Sequence, residues 1–312
     1  MMANRNNHSL AQGSNFKHHF YTMFMDRLAT SVFYLGGLIL IALLFAFVGY
    51  VIYMGRASLN FHFIATPPLF MQKGGGIAPQ LFNSFYLLLI SLVLSIPIGV
   101  GAGIYMAEYA KDNWITKTIR LSLETLSSLP SIVVGLFGLI FFVNIAKWGF
   151  SLFSGAMALM ILNLPVITRI SEEAIRNVPH SIKEGSLAVG ATKWQTIMRV
   201  ILPAALPGLL SGIILITGRI FGEAAALLYT AGMSSPPLNF GDWNPFHPSS
   251  PLNPFRPGET LAVYTWKVNS ESLAPDARQI ADGSAAVLLI TVFAFNIIAR
   301  FIGQIMQRKY QT

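Results

Sequence analysis

The sequence predicts an all-α, polytopic membrane protein with six transmembrane helices, and three observations carry that prediction. Uncharged runs cover residues 31–54, 125–146, 148–168, 200–218 and 283–299, with a longer one at 74–107 that is most apolar from Phe82 onward. A helix needs about 20 apolar residues to cross a hydrocarbon layer of about 30 Å, so six spans fit. Composition agrees: 54% of the 312 residues are hydrophobic and 11% are charged, and the mean hydropathy is +0.57, unlike a soluble domain. Third, six spans put both termini on one side, and that side collects fourteen Lys and Arg against six on the other. The positive-inside bias therefore assigns both termini to the cytoplasm. The net charge of +8 reads as a topological signal of a chain in a lipid bilayer, and no nucleic acid is expected as a partner.

Taken in order, residues 1–30 are polar and read as a cytoplasmic tail; His18-His19 is a weak metal motif, outweighed by a disordered tail. The run at 31–54 is too long for a signal peptide and lacks a small-residue cleavage site. Lys73-Gly-Gly-Gly-Ile-Ala-Pro79 is not followed by Gly-Lys-Ser/Thr, so it reads as a close-packing turn and not a phosphate loop. Span two carries Gly99 and Gly103, a spacing that lets a neighbouring helix approach. Residues 108–124 read as an interfacial inner-side helix. Pro130 predicts a broken third span, and residues 144–149 make a hairpin with the fourth. Arg169 follows Pro165 at the inner boundary, as an anchor or a pathway residue. The outer loop, 229–282, holds a Pro-rich section, 243–257, that reads as extended and exposed. The stretch from Glu259 to Trp266 is expected at the membrane interface.

Arg219 and Glu223 lie four apart inside the fifth run and are expected on one helical face. An Arg at mid-bilayer costs about 2.5–3.5 kcal/mol on insertion scales, so such residues face a cavity or a partner. Two readings stay open: an Arg–Glu pair that satisfies itself, or a site where the guanidinium fork meets a permeating anion.

Residues 181–203 are the most elaborate polar segment. Ser181-Ile-Lys-Glu184 and Thr192-Lys-Trp-Gln195 both fit capping boxes, and Gly190 suits a left-handed helix end. A short helix over 182–189 is expected between two spans, where something outside the membrane can grip it. No nucleophile–base pair and no His/carboxylate cluster stands out, so neither catalytic residues nor a cofactor or metal is expected, and the absence of cysteine excludes thiolate sites.

The segment Glu184-Gly185-Ser186, Gly190, then Val200-Ile201-Leu202-Pro203 resembles the "EAA" loop of ABC-transporter permeases, departing from it at Gly185, Ser186 and Val200. Further stretches are similar to phosphate-uptake permeases: Gly75-Gly-Ile-Ala-Pro79, residues 98–109, residues 129–138, Arg219-Ile-Phe-Gly-Glu223 and Val263-Tyr-Thr-Trp266. The resemblance implies a type I ABC importer permease fold in the bacterial inner membrane, carrying inorganic phosphate and not itself an enzyme. It implies a pathway role for Arg219 and Glu223; Arg169 is added to them as a candidate from its position at the inner boundary. It implies ATPase coupling through Ser181, Glu184, Gly185, Ser186, Gly190, Ala191 and Thr192. The expected partners are a second permease subunit (PstC-like), an ATP-binding subunit dimer (PstB-like) and a periplasmic phosphate-binding protein (PstS-like). The expected organisation is a tail at 1–30, a first span and outer loop at 31–80, a core at 81–305 with the coupling loop at 172–203, and a tail at 306–312. Rival readings are another oxyanion, phosphonate or sulfate, and an anion channel.

Overall fold

Small residues decide how the helices meet. The computed structural model describes the backbone of residues 6–69, 72–272 and 274–311, and the side chains among them except those of 6–22, 24, 302 and 306–311. The chain divides into two units, residues 1–53 and 54–312. The first consists largely of helix α1 (Asn6–Gly55). Its apolar side chains are exposed all round, Phe33 at 79% and Leu40 at 69% among them, as suits a helix whose solvent is hydrocarbon. The polar residues expected to form a tail continue this helix back to Asn6; the side chains of His8, His18 and His19 lie outside those described.

In the second unit, α2 (Phe61–Ala65) is a single turn capped by Asn60. Helix α3 (Ala78–Ile104) opens with Pro79 in its first turn, where the missing N–H costs nothing. It packs along α6 (Leu152–Arg176) in parallel and in constant register: Leu87 against Gly155, Gly99 against Ile167, Gly103 against Ser171. A Cβ on Gly103 would fall 2.4 Å from that of Ser171, and one on Gly99 2.4 Å from the Ile167 side chain. The Gly99/Gly103 face is therefore a helix-packing surface. A π-helical turn, Tyr105–Tyr109, ends the span.

The helix ahead of the expected third span is interrupted where Pro130 bars helix at the residue before it. Helix α4 (Trp114–Ser127) and the segment Ser131–Ile145, which begins as α5 (Ser131–Gly138) and ends in a π-helical turn, meet at 95°. Among the described residues, five helices are long and apolar enough to cross a membrane, and six if this bent pair is one span. The elements between α6 and the next long helix are α7 (His180–Ala188) and α8 (Lys193–Thr196). A π-helical turn, Ile197–Ile201, leads into α9 (Leu202–Gly222), followed by α10 (Ala225–Leu228), α11 (Leu261–Glu271) and α12 (Ala277–Gln311).

The main core joins Leu87 and Leu88 of α3, Leu159 and Ile167 of α6, and Ile216, Ile220 and Phe221 of α9. A second cluster, of Phe63, Ile77, Leu261, Tyr264 and Val287, takes up α11. The stretch expected at the membrane interface is thus mostly core, with Leu261 and Val263 fully buried and Trp266 left 43% exposed.

Candidate functional site

Arg219 lies in the last turn of α9, about 26 Å along the axis from Leu202. It is exposed, and among the described residues it has no ion pair or side-chain hydrogen bond. Glu223 is not on its helical face. The helix ends at Gly222, and Glu223 takes an extended conformation with φ −75° and ψ 123°. Its Oε1 instead accepts from the Ala226 amide at 3.4 Å, at the start of α10. Packing forces the break: a Cβ on Gly135 of α5 would lie 2.8 Å from Ala226 Cα, so the chain must turn there to bring α10 against α5. The self-satisfied Arg–Glu pair does not form.

Arg169 is exposed on α6 and shares a cavity of about 460 Å³ with Arg120, Glu124, Glu172, Glu173 and Arg176. Glu172, 9% exposed, organises this cluster. Its Oε1 receives Arg120 Nη2 at 2.9 Å and Arg176 Nη2 at 3.0 Å, fastening α4 to α6. Helices α6 and α9 run antiparallel, with Ala174 beside Gly208 and Ile170 beside Gly212, so Arg169 and Arg219 are offset by about 9 Å along the axis.

The segment 181–203 departs from expectation at one cap. The helix starts at His180 after Pro179, one residue before Ser181, so the Ser181 side chain lies inside the first turn and caps nothing. The second capping box is formed: Thr192 Oγ1 accepts from the Gln195 amide and Gln195 Oε1 from the Thr192 amide at 2.9 Å. Gly190 has φ +87°, the left-handed residue expected. Helix α7 has no buried residue. Ser181, Glu184, Gly185, Gly190 and Thr192 are exposed, Ser186 and Ala191 half-buried. Beside them lie exposed apolar side chains, Ile182 at 42%, Leu187 at 41%, Val189 at 84% and Trp194 at 59%. Charged and apolar groups exposed together make a surface suited to a protein partner.

Two polar centres escaped the sequence reading. Glu108, in the π-helical turn after α3, receives Lys183 of α7 at 2.5 Å. The Pro-rich loop is not wholly exposed: Ser250 is 0% and Arg256 3% accessible. Arg256 donates to Asn83 Oδ1 at 2.7 Å and to the carbonyls of Ser250 at 3.2 Å and Pro251 at 3.0 Å. Burial pushes its guanidinium down to about 10, so it remains a cation at neutral pH. Beside it, Glu259 receives Gln80 Nε2 at 3.0 Å and Lys267 Nζ at 2.9 Å. Burial raises its carboxyl above the usual range against the opposing pull of Lys267. Among the described residues, no group of three or more His, Asp or Glu is placed to hold a metal.

A helical bundle with a short helix that buries none of its residues between two spans, and a cationic side chain inside one, fits the membrane subunit of a transporter. Residues 99–312 match the family described as binding-protein-dependent transport system inner membrane component. The chain belongs to that family, and it is an ABC importer permease subunit. It is 51% identical over 284 residues to the probable ABC transporter permease protein YqgI of Bacillus subtilis, covering 91% of this chain and 97% of that one. It is 38% identical over 240 residues to the phosphate transport system permease protein PstA of Yersinia pestis, covering 76% and 75%. In fold it is similar to the MetNI methionine ABC transporter, with a TM-score of 0.56 at 18% identity over 72% of this chain and 93% of that one. It is also similar to a bacterial alginate ABC transporter, with a TM-score of 0.59 at 13% identity over 86% and 95%. The fold is that of type I ABC importer permeases, which work with an ATPase and a substrate-binding protein.

Proposed function

We propose that this permease imports inorganic phosphate. It forms half of a pore with a PstC-like permease subunit, driven by a PstB-like ATP-binding dimer and supplied by a PstS-like periplasmic phosphate-binding protein. The observation that carries this reading is the exposed Arg219, without an ion pair among the described residues, inside a span. An Arg turned to lipid is costly, so it faces a water-filled path or the partner subunit, and its planar fork suits a phosphate oxyanion. Relatives named as phosphate transport permeases support the choice of anion. In this reading Arg219 receives the anion, Glu223 keeps the bend beside it polar, and Arg169 meets the anion toward the inner mouth. The exposed face of α7, with Glu184 and Gly190, docks the ATPase, and alternating access follows from rocking of the spans. Both termini are cytoplasmic, on the side of the coupling segment.

The test is anion-stimulated ATP hydrolysis by the purified assembly with its binding protein. Phosphate should stimulate, with sulfate and phosphonate near the basal rate. Stimulation by either of those and not by phosphate would reject the phosphate reading, and anion flux without ATP would favour a channel.

A further inference from the structure

The coupling helix α7 is joined by the chain to α6 on one side and through α8 to α9 on the other, yet its strongest side-chain tie leads elsewhere. Among the described residues, α7 makes two side-chain hydrogen bonds. One, between Ser186 and Thr196 at 3.0 Å, stays within the segment. The other joins Lys183 to Glu108, 75 residues away at the inner end of α3. The Glu108 side chain is 7% exposed and that of Lys183 28%, so water screens the pair little. Lys193, at the start of α8, donates to the backbone carbonyl of the same Glu108 and sits 4.3 Å from the centre of the Tyr109 ring. Two lysines flanking the Gly190 turn thus converge on one residue.

Apolar packing supplies little of this attachment. No residue of α7 is buried, and a cavity of about 320 Å³, lined by Glu108, Arg176, His180 and Lys183 among others, lies between it and the spans. The π-helical turn Tyr105–Tyr109 presents Glu108; such a turn inserts a residue and re-aims the side chains after it. Beyond that turn, α3 is locked to α6 through Gly99 and Gly103 with no room for a methyl group, so a pull on its end is transmitted along a stiff pair.

We propose that Glu108 is a positioning residue that ties α7 to the inner end of α3, so that displacement of the coupling helix reaches α3 directly as well as through the chain into α6 and α9. The idea rests on α7 being the element the ATPase grips.

The test is a charge swap in the assembled transporter, reconstituted in proteoliposomes with its ATPase and binding protein. Glu108→Lys and Lys183→Glu should each raise the ATP hydrolysed per anion moved about tenfold, within the usual range of coupling between sites. The double swap should bring the ratio back toward wild type. Single variants with a wild-type ratio, or a double swap as uncoupled as the singles, would overturn the proposal. Should the singles fail to assemble, the chain's lack of cysteine offers a second route. Glu108→Cys with Lys183→Cys can be joined by a short bis-maleimide, with equal yield expected in the nucleotide-free and ATP-bound states. A yield that collapses in either state would show the two points separating and would sink the tie. That readout needs no anion, so it remains decisive even if phosphate import itself is disproved.

Discussion

Arg256 and Asn83, 173 positions apart in the chain, meet through an Nη2–Oδ1 hydrogen bond of 2.7 Å and so anchor the outer loop to the start of α3. The guanidinium also gathers carbonyls from Ser250 and Pro251, which a Pro-rich loop cannot satisfy with a ladder of its own. Arg256→Met should therefore leave several buried acceptors unpaired and cost about 2–3 kcal/mol. Arg256→Lys should do little better, because an ammonium cannot reproduce the fork. Thermal unfolding in detergent and protease cleavage within 243–257 measure both.

Glu259, in the same centre, makes this anchoring pH-dependent. Its folded carboxyl is raised above the usual carboxylate range, with burial the main cause. A group raised on folding contributes stability that is full below its unfolded pKa and lost as pH rises through the folded value. Protease protection of the outer loop should thus fall as pH climbs out of the ordinary carboxylate range and through the raised folded value. Glu259→Gln should flatten that dependence, and an unchanged profile in the variant would refute the assignment.

Between α3 and α6, a single methyl group should be felt. Gly103→Ala would place its Cβ 2.4 Å from Ser171 Cβ and 2.9 Å from the Glu172 amide, while Gly101 has nothing within 4 Å. Gly103→Ala should lower stability by about 1–3 kcal/mol through overpacking. Gly101→Ala should be near neutral, and the difference in melting temperature between the two variants is the measurement.

Much of this architecture is legible in the residues. Uncharged runs locate the spans, Pro130 foretells the break ahead of the third, and Thr192 with Gln195 forms the cap its spacing implies. The failures share one cause, contact between distant parts of the chain. Gly-Glu-Ala-Ala-Ala after Phe221 contains no obligatory breaker, yet α9 stops there because α10 must meet Gly135. Ser181 loses its cap because the helix starts at His180, two residues early, with Pro179 at the cap position. Arg256 looked like part of an exposed loop because Asn83 is invisible from its neighbourhood. Arg219 was conspicuous as a charge within an apolar run; its exposure and lack of an ion pair could be seen only in three dimensions.

Gly190 and Gly185 separate backbone strain from helix propensity. Gly190 has φ +87° with open space around it, so Gly190→Ala costs only the left-handed backbone, about 1–2 kcal/mol. Gly185 lies within α7, also in open space, and Gly185→Ala should stabilise that helix by about 0.5–1 kcal/mol. Hydrogen exchange across 180–196 should show faster exchange for the first and slower for the second.

Arg219→Ala should abolish anion uptake while the subunits still assemble, as judged by co-purification. Arg219→Lys keeps the charge but not the fork, and should retain a small fraction of the activity, lower by about 10-fold or more for a loss of about 1.4 kcal/mol or more. Wild-type uptake in Arg219→Ala would remove this residue from the route.

The right-angled bend ahead of Ser131 also bears on the barrier that any charged passenger confronts. The segment after it, Ser131–Ile145, is 15 residues in two short pieces, reaching about 22 Å of a hydrocarbon layer about 30 Å deep. The shortfall draws headgroups and water inward beside it. The bilayer edge beside this bend should therefore be thinner than around the longer spans.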